Sequence, residues 1–251
     1  HVQPTDMTEQ VERLRFNSVS GTWDHSTSEI KVARKQFASG KTRGCIRFLD
    51  VQDNVIRVLK KAQQKHKHLE TTDDVHNGVQ MQSLAGYCAT LFASIAPESC
   101  NLSFVDCWVY VLKQRPNQPS VRVEDFVQDM SEKKEVSLHD DRHASPQDVL
   151  DNHKFAAFQF YTYVQSDRTL VFVSASRVAP NKLSRPVVAS VDQTKGGKKD
   201  LGNDGLSRWA AEFSFKYCSL LGVSKEQLMA MDPVQLVQLM DDHGLFTGRR
   251  R

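Results

Sequence analysis

Gly202-Asn-Asp-Gly205 opens an apolar-periodic stretch that runs to Cys218. Backbone N–H groups at the head of such a helix can hold an anion, and the same four residues also make an ordinary turn before a helix. Gly40 and Arg43, in Phe37-Ala-Ser-Gly-Lys-Thr-Arg43, offer a glycine-bearing hairpin beside a guanidinium. That pairing can cradle a phosphate, or it can turn the chain and leave the arginine in solvent. Lys60-Lys-Ala-Gln-Gln-Lys-His-Lys-His68 concentrates positive charge, a pattern that suits a nucleic acid or a phosphorylated partner. It carries no interleaved aromatics, so it reads more readily as solvated surface. His139, His143 and His153, with Asp140 and Asp141, are metal-ligating types, but they fall in a polar stretch without helical or hairpin spacing and read as surface groups.

The five cysteines, Cys45, Cys88, Cys100, Cys107 and Cys218, form an odd set with no Cys-x-x-Cys pair, which argues against a zinc ribbon or a redox couple. Buried free thiols in a reducing, cytoplasmic compartment are expected. Thirty-three basic and 30 acidic side chains in 251 residues leave a charge of +3, so the overall field neither requires nor forbids a nucleic-acid partner. No apolar run reaches the roughly 20 residues a membrane helix needs, and no signal-peptide pattern opens the chain. Because it starts at His1, the chain is read as a fragment of a longer protein.

Positioning these groups requires a set of elements that the hydrophobic pattern outlines. Residues 11–24 read as a strand, a glycine turn and a second strand, and the strand pattern returns over 30–37 and 44–49. Residues 55–59 read as a further strand, although 51–64 also suits a helix. Residues 73–95 have helical spacing with Asp74 as N-cap. A strand is expected over 104–112, a turn over 115–119 and a strand over 121–127. Residues 133–151 look irregular until Ser145-Pro-Gln-Asp148 starts a helix through Phe155, Phe158 and Phe160. The strongest strand signal, 169–175, is followed by a long loop over 177–200, and then by a helix over 206–221 and two short helices opened by Ser224 and Asp232. Strands concentrate early and helices late, which predicts an α+β fold.

These segments, taken in order, resemble the atypical alpha-kinase family. The resemblance runs through Arg13-Leu-Arg-Phe-Asn-Ser-Val-Ser-Gly-Thr-Trp23, the glycine turn from Phe37 to Arg47, residues 109–119 and Val123-Glu-Asp-Phe-Val127. It continues through the Phe155-x-x-Phe-x-Phe160 helix, the strand 170–173, and Gly202-Asn-x-Gly205 leading to Cys218. It implies one two-lobed kinase-like domain over 1–251, with an N-terminal antiparallel-sheet lobe over about 1–120 and a mixed C-terminal lobe over about 121–251. Nucleotide-binding positions implied are Gly40, Arg43, Arg57, Lys61, Glu124, Gly202, Asn203 and Gly205. By the same resemblance Arg57 stands where the family has its phosphate-binding lysine, Lys61 is the alternative, and Gln82 replaces the helix acid that would hold that lysine. Glu124 keeps the hinge acid, and Asp129 stands where the family motif closes with glycine. At the end of the strand, Ser174 replaces the family Asp and Ser176 the family Gln.

A hydroxyl is a poor Mg²⁺ ligand beside a carboxylate, so the expectation is a catalytically impaired domain, a pseudokinase that works by binding a protein partner. ATP is the one cofactor the resemblance allows. Zinc is not expected, since Ala189, Lys216 and Gly222 leave Cys218 as the sole retained zinc-type position, and packing by Trp209, Phe213, Phe215 and Leu220 is expected to replace it. Two other readings stay open: an active Ser/Thr protein kinase whose acids are Asp192, Asp200 or Asp204, and a phosphate- or nucleic-acid-binding module. No oligomeric state follows from the sequence.

Overall fold

Residues alternating between two apolar environments build the first part of the chain. In the computed structural model, which describes residues 7–39, 43–63, 70–127, 134–138, 144–193 and 196–247, the chain falls into two compact units. One is His1–Leu84 with Val105–Gln128, and the other is Ala85–Phe104 with Asp129–Arg251.

In the first unit, β1 (Met7–Asn17), β2 (Thr22–Ser39), β3 (Arg43–Asp50) and β4 (Val55–Ala62) follow one another as antiparallel neighbours. Past β5 (Ser103–Phe104), which joins the second unit's sheet, β6 (Cys107–Leu112) and β7 (Ser120–Asp125) close a six-stranded barrel in the order β1-β2-β3-β4-β7-β6. Period-2 alternation then sends side chains to opposite faces. Val11, Ile30, Phe48, Leu59, Trp108, Tyr110 and Val123 fill the interior. Leu14, Cys107 and Val109 face outward, where Val75 and Val79 of α1 (Thr72–Ala93) cover them. The strand reading of 55–59 therefore holds against the helical one, because β4 has partners on both sides, β3 and β7.

Two expectations need correction here. The N-cap of α1 is Thr71, whose hydroxyl accepts from the Asp74 N–H at 3.2 Å while the Asp74 carboxylate accepts from the Thr71 N–H at 2.9 Å. Asp74 is thus the third residue of a capping box rather than the cap. The single strand expected over 104–112 is two strands in different sheets, parted at Val105 and Asp106.

The second unit has a sheet in the order β5-β10-β9-β8, formed by β5, β8 (Lys134–Ser137), β9 (Leu170–Ala179) and β10 (Lys182–Ser190). Helices α2 (Pro146–Gln165), α3 (Gly202–Leu221), α4 (Lys225–Ala230) and α5 (Pro233–Asp242) belong to the same unit. The loop expected over 177–200 is mostly a hairpin, and residues expected to be irregular before Ser145 include β8. Asn181 takes φ 54° in the tight turn between β9 and β10. Pro186 escapes the usual exclusion from strands because the ladder is irregular beside it, between Ser184 and Val187, where Arg185 has φ 54°. Leu183, Ser184, Val188 and Ala189 are buried along that strand, so burial overrides its loop-like composition.

The caps expected at Ser145, Ser224 and Asp232 are present, each as a reciprocal capping box. Helices α2 and α3 share an aromatic ladder: Phe160 stacks on Phe213 at 5.4 Å, Tyr163 meets Trp209 at 4.9 Å, and Phe213 meets Tyr217 at 4.8 Å. Of the four side chains expected to hold this region, Trp209 and Phe213 are buried, whereas Phe215 is 88% exposed and Leu220 is also exposed. On a 3.6-residue repeat, Phe213 and Tyr217 lie on one stripe and Phe215 falls on the opposite face.

Candidate functional site

On β4, Arg57 and Leu59 point into the barrel, so Lys60 must point outward, toward the α1 side. There its ammonium forms an ion pair with Glu124 of β7. Both are almost fully buried, Lys60 at 5% and Glu124 at 3% exposure. Arg122, two residues before Glu124 and hence on the same face, brings its Nε to 2.8 Å from the other carboxylate oxygen, close in distance though not aligned as a hydrogen bond. Arg122 also donates to the side-chain oxygen of Gln82 on α1, and Gln82 donates to the Val105 carbonyl at 2.6 Å. A buried charge is costly unless paired, and each of these partners offsets that cost. Gln82 therefore does not hold the lysine directly. The acid that does so is Glu124.

Arg57, by contrast, lies at one end of the barrel interior within a separate charge cluster. Its guanidinium contacts Asp50 at 2.5 Å, Asp53 at 2.8 Å and Asp125 at 3.5 Å, and sits 4.1 Å from the Trp108 ring centroid. Burial pushes the Asp50 carboxyl up, but hydrogen bonds from Tyr110 and Ser28 and the charge of Arg57 outweigh it and hold Asp50 below the usual range. Burial, followed by the bond to Asp50, raises the Tyr110 hydroxyl well above its ordinary value. Lys61 is exposed. The lysine of β4 that is buried beside an acid is thus Lys60, which the sequence reading passed over. Adjacent lysines fall on opposite faces of a strand, and only the cross-strand register reveals which one meets the acid.

Arg43 is ion-paired with Glu70 instead of standing in solvent, and Gly40 lies outside the described residues, as do Asp129, His139, Asp140, Asp141, His143 and residues 64–68 of the basic run. Arg47, a second residue missed in the sequence, lies across from Val58 on the Lys60 face. Its guanidinium is 4.5 Å from the ring centroids of both Phe37 and Phe126, with a buried Nε that has no hydrogen-bond partner among the described residues. His153, grouped above with surface histidines, is buried on α2 with its Nδ1 2.9 Å from the Tyr217 hydroxyl.

In the second unit, Ser174 is buried on β9 between Ser137 and Val187, and Ser176 is half-buried opposite Glu135 and Ser184. Of the carboxylates considered as substitute acids, Asp200 is a loop staple. It accepts from the N–H groups of Ser190 at 2.8 Å, Gly202 at 2.9 Å and Gly196 at 3.2 Å, and from the Ser190 hydroxyl. Asp192 is exposed after β10 and accepts from the Ser190 hydroxyl at 3.1 Å, while Asp204 is exposed on the first turn of α3. Gly202 has φ 64°, and a side chain there would run into Gln193. Gly205 is buried where α3 approaches Ala189, and Asn203 is exposed. Both glycines have a packing reason for their identity.

The Alpha-kinase family model matches residues 38–219. The chain belongs to the alpha-kinase family. Alpha-protein kinase 1 of Dictyostelium discoideum is 26% identical over 223 residues, a span that covers 86% of this chain but only 16% of that protein's length. Among solved structures, a catalytic-domain mutant of myosin heavy chain kinase A superposes with a TM-score of 0.68 at 17% identity, covering 84% of this chain and 94% of the other. The alpha-kinase domain of myosin-II heavy chain kinase A in complex with AMP-PNP gives 0.67 at 17% identity, with coverage of 83% and 92%. The expected α+β alpha-kinase fold is therefore correct.

The zinc site implied by this alpha-kinase fold does not fit the residues present. Ala189 is a buried methyl on β10, Gly222 caps α3 at φ 66°, and the Lys216 ammonium lies 5.9 Å from the Tyr217 ring, which leaves Cys218 as one ligand where four are needed. Among the described residues, no group of three His, Cys, Asp or Glu side chains could hold a metal ion, and no helix is long and apolar enough to cross a membrane. All five cysteines are free thiols, and burial raises Cys100 and Cys107 to about 12.

Proposed function

We propose that this alpha-kinase domain binds ATP but transfers phosphate poorly or not at all, and that it acts in a reducing, cytoplasmic setting by engaging a protein partner. The observation that carries this reading is an imbalance. In the first unit the buried Lys60–Glu124 pair is complete, whereas in the second unit Ser174 stands where the family resemblance puts a carboxylate and Asp200 is committed to its loop. Lys60 supplies a fixed cation for phosphate, Glu124 keeps that cation in place, and Arg47 adds a guanidinium on the same face. A protein site usually holds magnesium through one or two carboxylates beside the substrate phosphates, and the Ser174 hydroxyl supplies no such charge.

A second reading, an active Ser/Thr protein kinase, draws on the kinship with Alpha-protein kinase 1 and on the exposed carboxylate of Asp192. One pair of measurements separates the two. ATP at about 100 times its Kd should stabilise the fold by about 2.7 kcal/mol, raising the melting temperature by roughly 5–10 °C with or without Mg²⁺. Incubation with ATP, Mg²⁺ and a generic basic protein substrate should yield no phosphoprotein. Transfer that disappears in Asp192→Asn would establish the active reading, and transfer that disappears in Ser174→Ala would also defeat the impaired one.

A further inference from the structure

Glu124 meets two cations that reach it by different routes. Lys60 comes from β4, while Arg122 comes from Glu124's own strand and is anchored at its far end on α1 through Gln82. Each link restricts the next. The Val105 carbonyl accepts from the Gln82 amide nitrogen, which fixes the direction of the amide oxygen. That oxygen accepts from the Arg122 guanidinium, whose planar fork then faces one Glu124 oxygen while Lys60 takes the other. Gln82, Arg122, Glu124 and Lys60 are all at most 5% exposed, so water does not loosen the chain of contacts.

We propose that Arg122 is a positioning residue that couples helix α1, through Gln82, to the Glu124–Lys60 pair, so that the placement of the helix sets the placement of the Lys60 ammonium. The meaning of this coupling for nucleotide binding rests on the ATP-binding reading above, but the coupling itself does not. A helix carboxylate would grip a lysine in one step. Here a neutral amide does so in three contacts, and the intermediate guanidinium gives the helix leverage over a carboxylate it does not touch.

The test is side-chain ammonium NMR on the full 251-residue chain, with the Lys60 signal identified by its absence in Lys60→Arg. Gln82→Leu should shift or broaden that signal, and Arg122→Leu should do the same. The double variant should add nothing to Arg122→Leu alone, as expected for residues acting in series. Should the leucine variants fail to fold, Gln82→Glu decides the matter, because its new carboxylate competes with Glu124 for Arg122 and must move the Lys60 signal. An unmoved Lys60 signal in a folded Gln82→Leu or Gln82→Glu chain overturns the coupling. Titration with ATP should show affinity reduced about fivefold or more in Gln82→Leu. A wild-type chain that binds no ATP refutes the nucleotide reading, and the NMR result still decides the coupling.

Discussion

The two units fill their interiors with a different emphasis. The first buries charge: Lys60, Arg122 and Glu124 outside the barrel, Arg57 and Asp50 at its end. The second buries rings, with Phe158 packed against Phe92, Phe104, Phe155 and Phe172, and the Phe213 ladder between α2 and α3. Buried ion pairs contribute little net stability against an apolar alternative but punish the loss of one partner. Aromatic packing contributes through area and contact. The difference teaches that buried charge in the first unit fixes specific partners across strands and α1, whereas the second unit is held mainly by contacts between rings.

Removing rings should have the largest effect. Phe213→Ala deletes a fully buried ring that touches Phe160, Trp209 and Tyr217, and should cost about 4 kcal/mol in urea unfolding followed by far-ultraviolet circular dichroism. Next comes Arg57→Met, which leaves Asp50 buried without its guanidinium and should cost about 3 kcal/mol in the same assay. A loss below about 1 kcal/mol for Arg57→Met would erase the contrast drawn here, since it would mean the more distant Arg13, 3.4 Å from Asp50, suffices for the buried carboxylate.

Asp50 sharpens the comparison through pH. Its folded carboxyl binds a proton less readily than the unfolded chain's, whose ordinary value is 3.8. Its contribution is therefore present above that value and lost as pH falls below it toward the depressed folded one. Acid titration of stability should be steeper in the wild type than in Asp50→Asn below about pH 4. The smallest effect belongs to Phe215→Ser, at the 88% exposed position of α3, which should stay within about 0.5 kcal/mol of wild type.

Much of the local structure could be read from the chain. Ser145, Ser224 and Asp232 announce their helices because a capping box needs only residues three apart. Val79 and Phe92 fall on the buried side of α1 as their spacing requires, and Trp209 and Phe213 do so on α3. The β9–β10 hairpin was hidden because Pro, Lys and Ser give a loop-like composition, and only the ladder with β9 and the burial of Val188 and Ala189 make it a strand. The candidate site was less legible. Arg57 and Lys61 carry the same charge as Lys60, and no local pattern says which of the three will meet Glu124.

Composition, period and capping residues determined the α+β class and the order of most elements, while Glu124 entered the candidates through the resemblance of Val123-Glu-Asp-Phe-Val127 to the family. These are properties of residues near one another in sequence, where hydrogen bonds and side-chain repeats act over one turn or one strand. Barrel closure decided the rest. It set the cross-strand register that turns Lys60 outward and Arg57 inward, and brought Gln82 across 40 residues to Arg122. The energy of a buried charge depends on which partners reach it, and partners distant in sequence are chosen only when the fold closes.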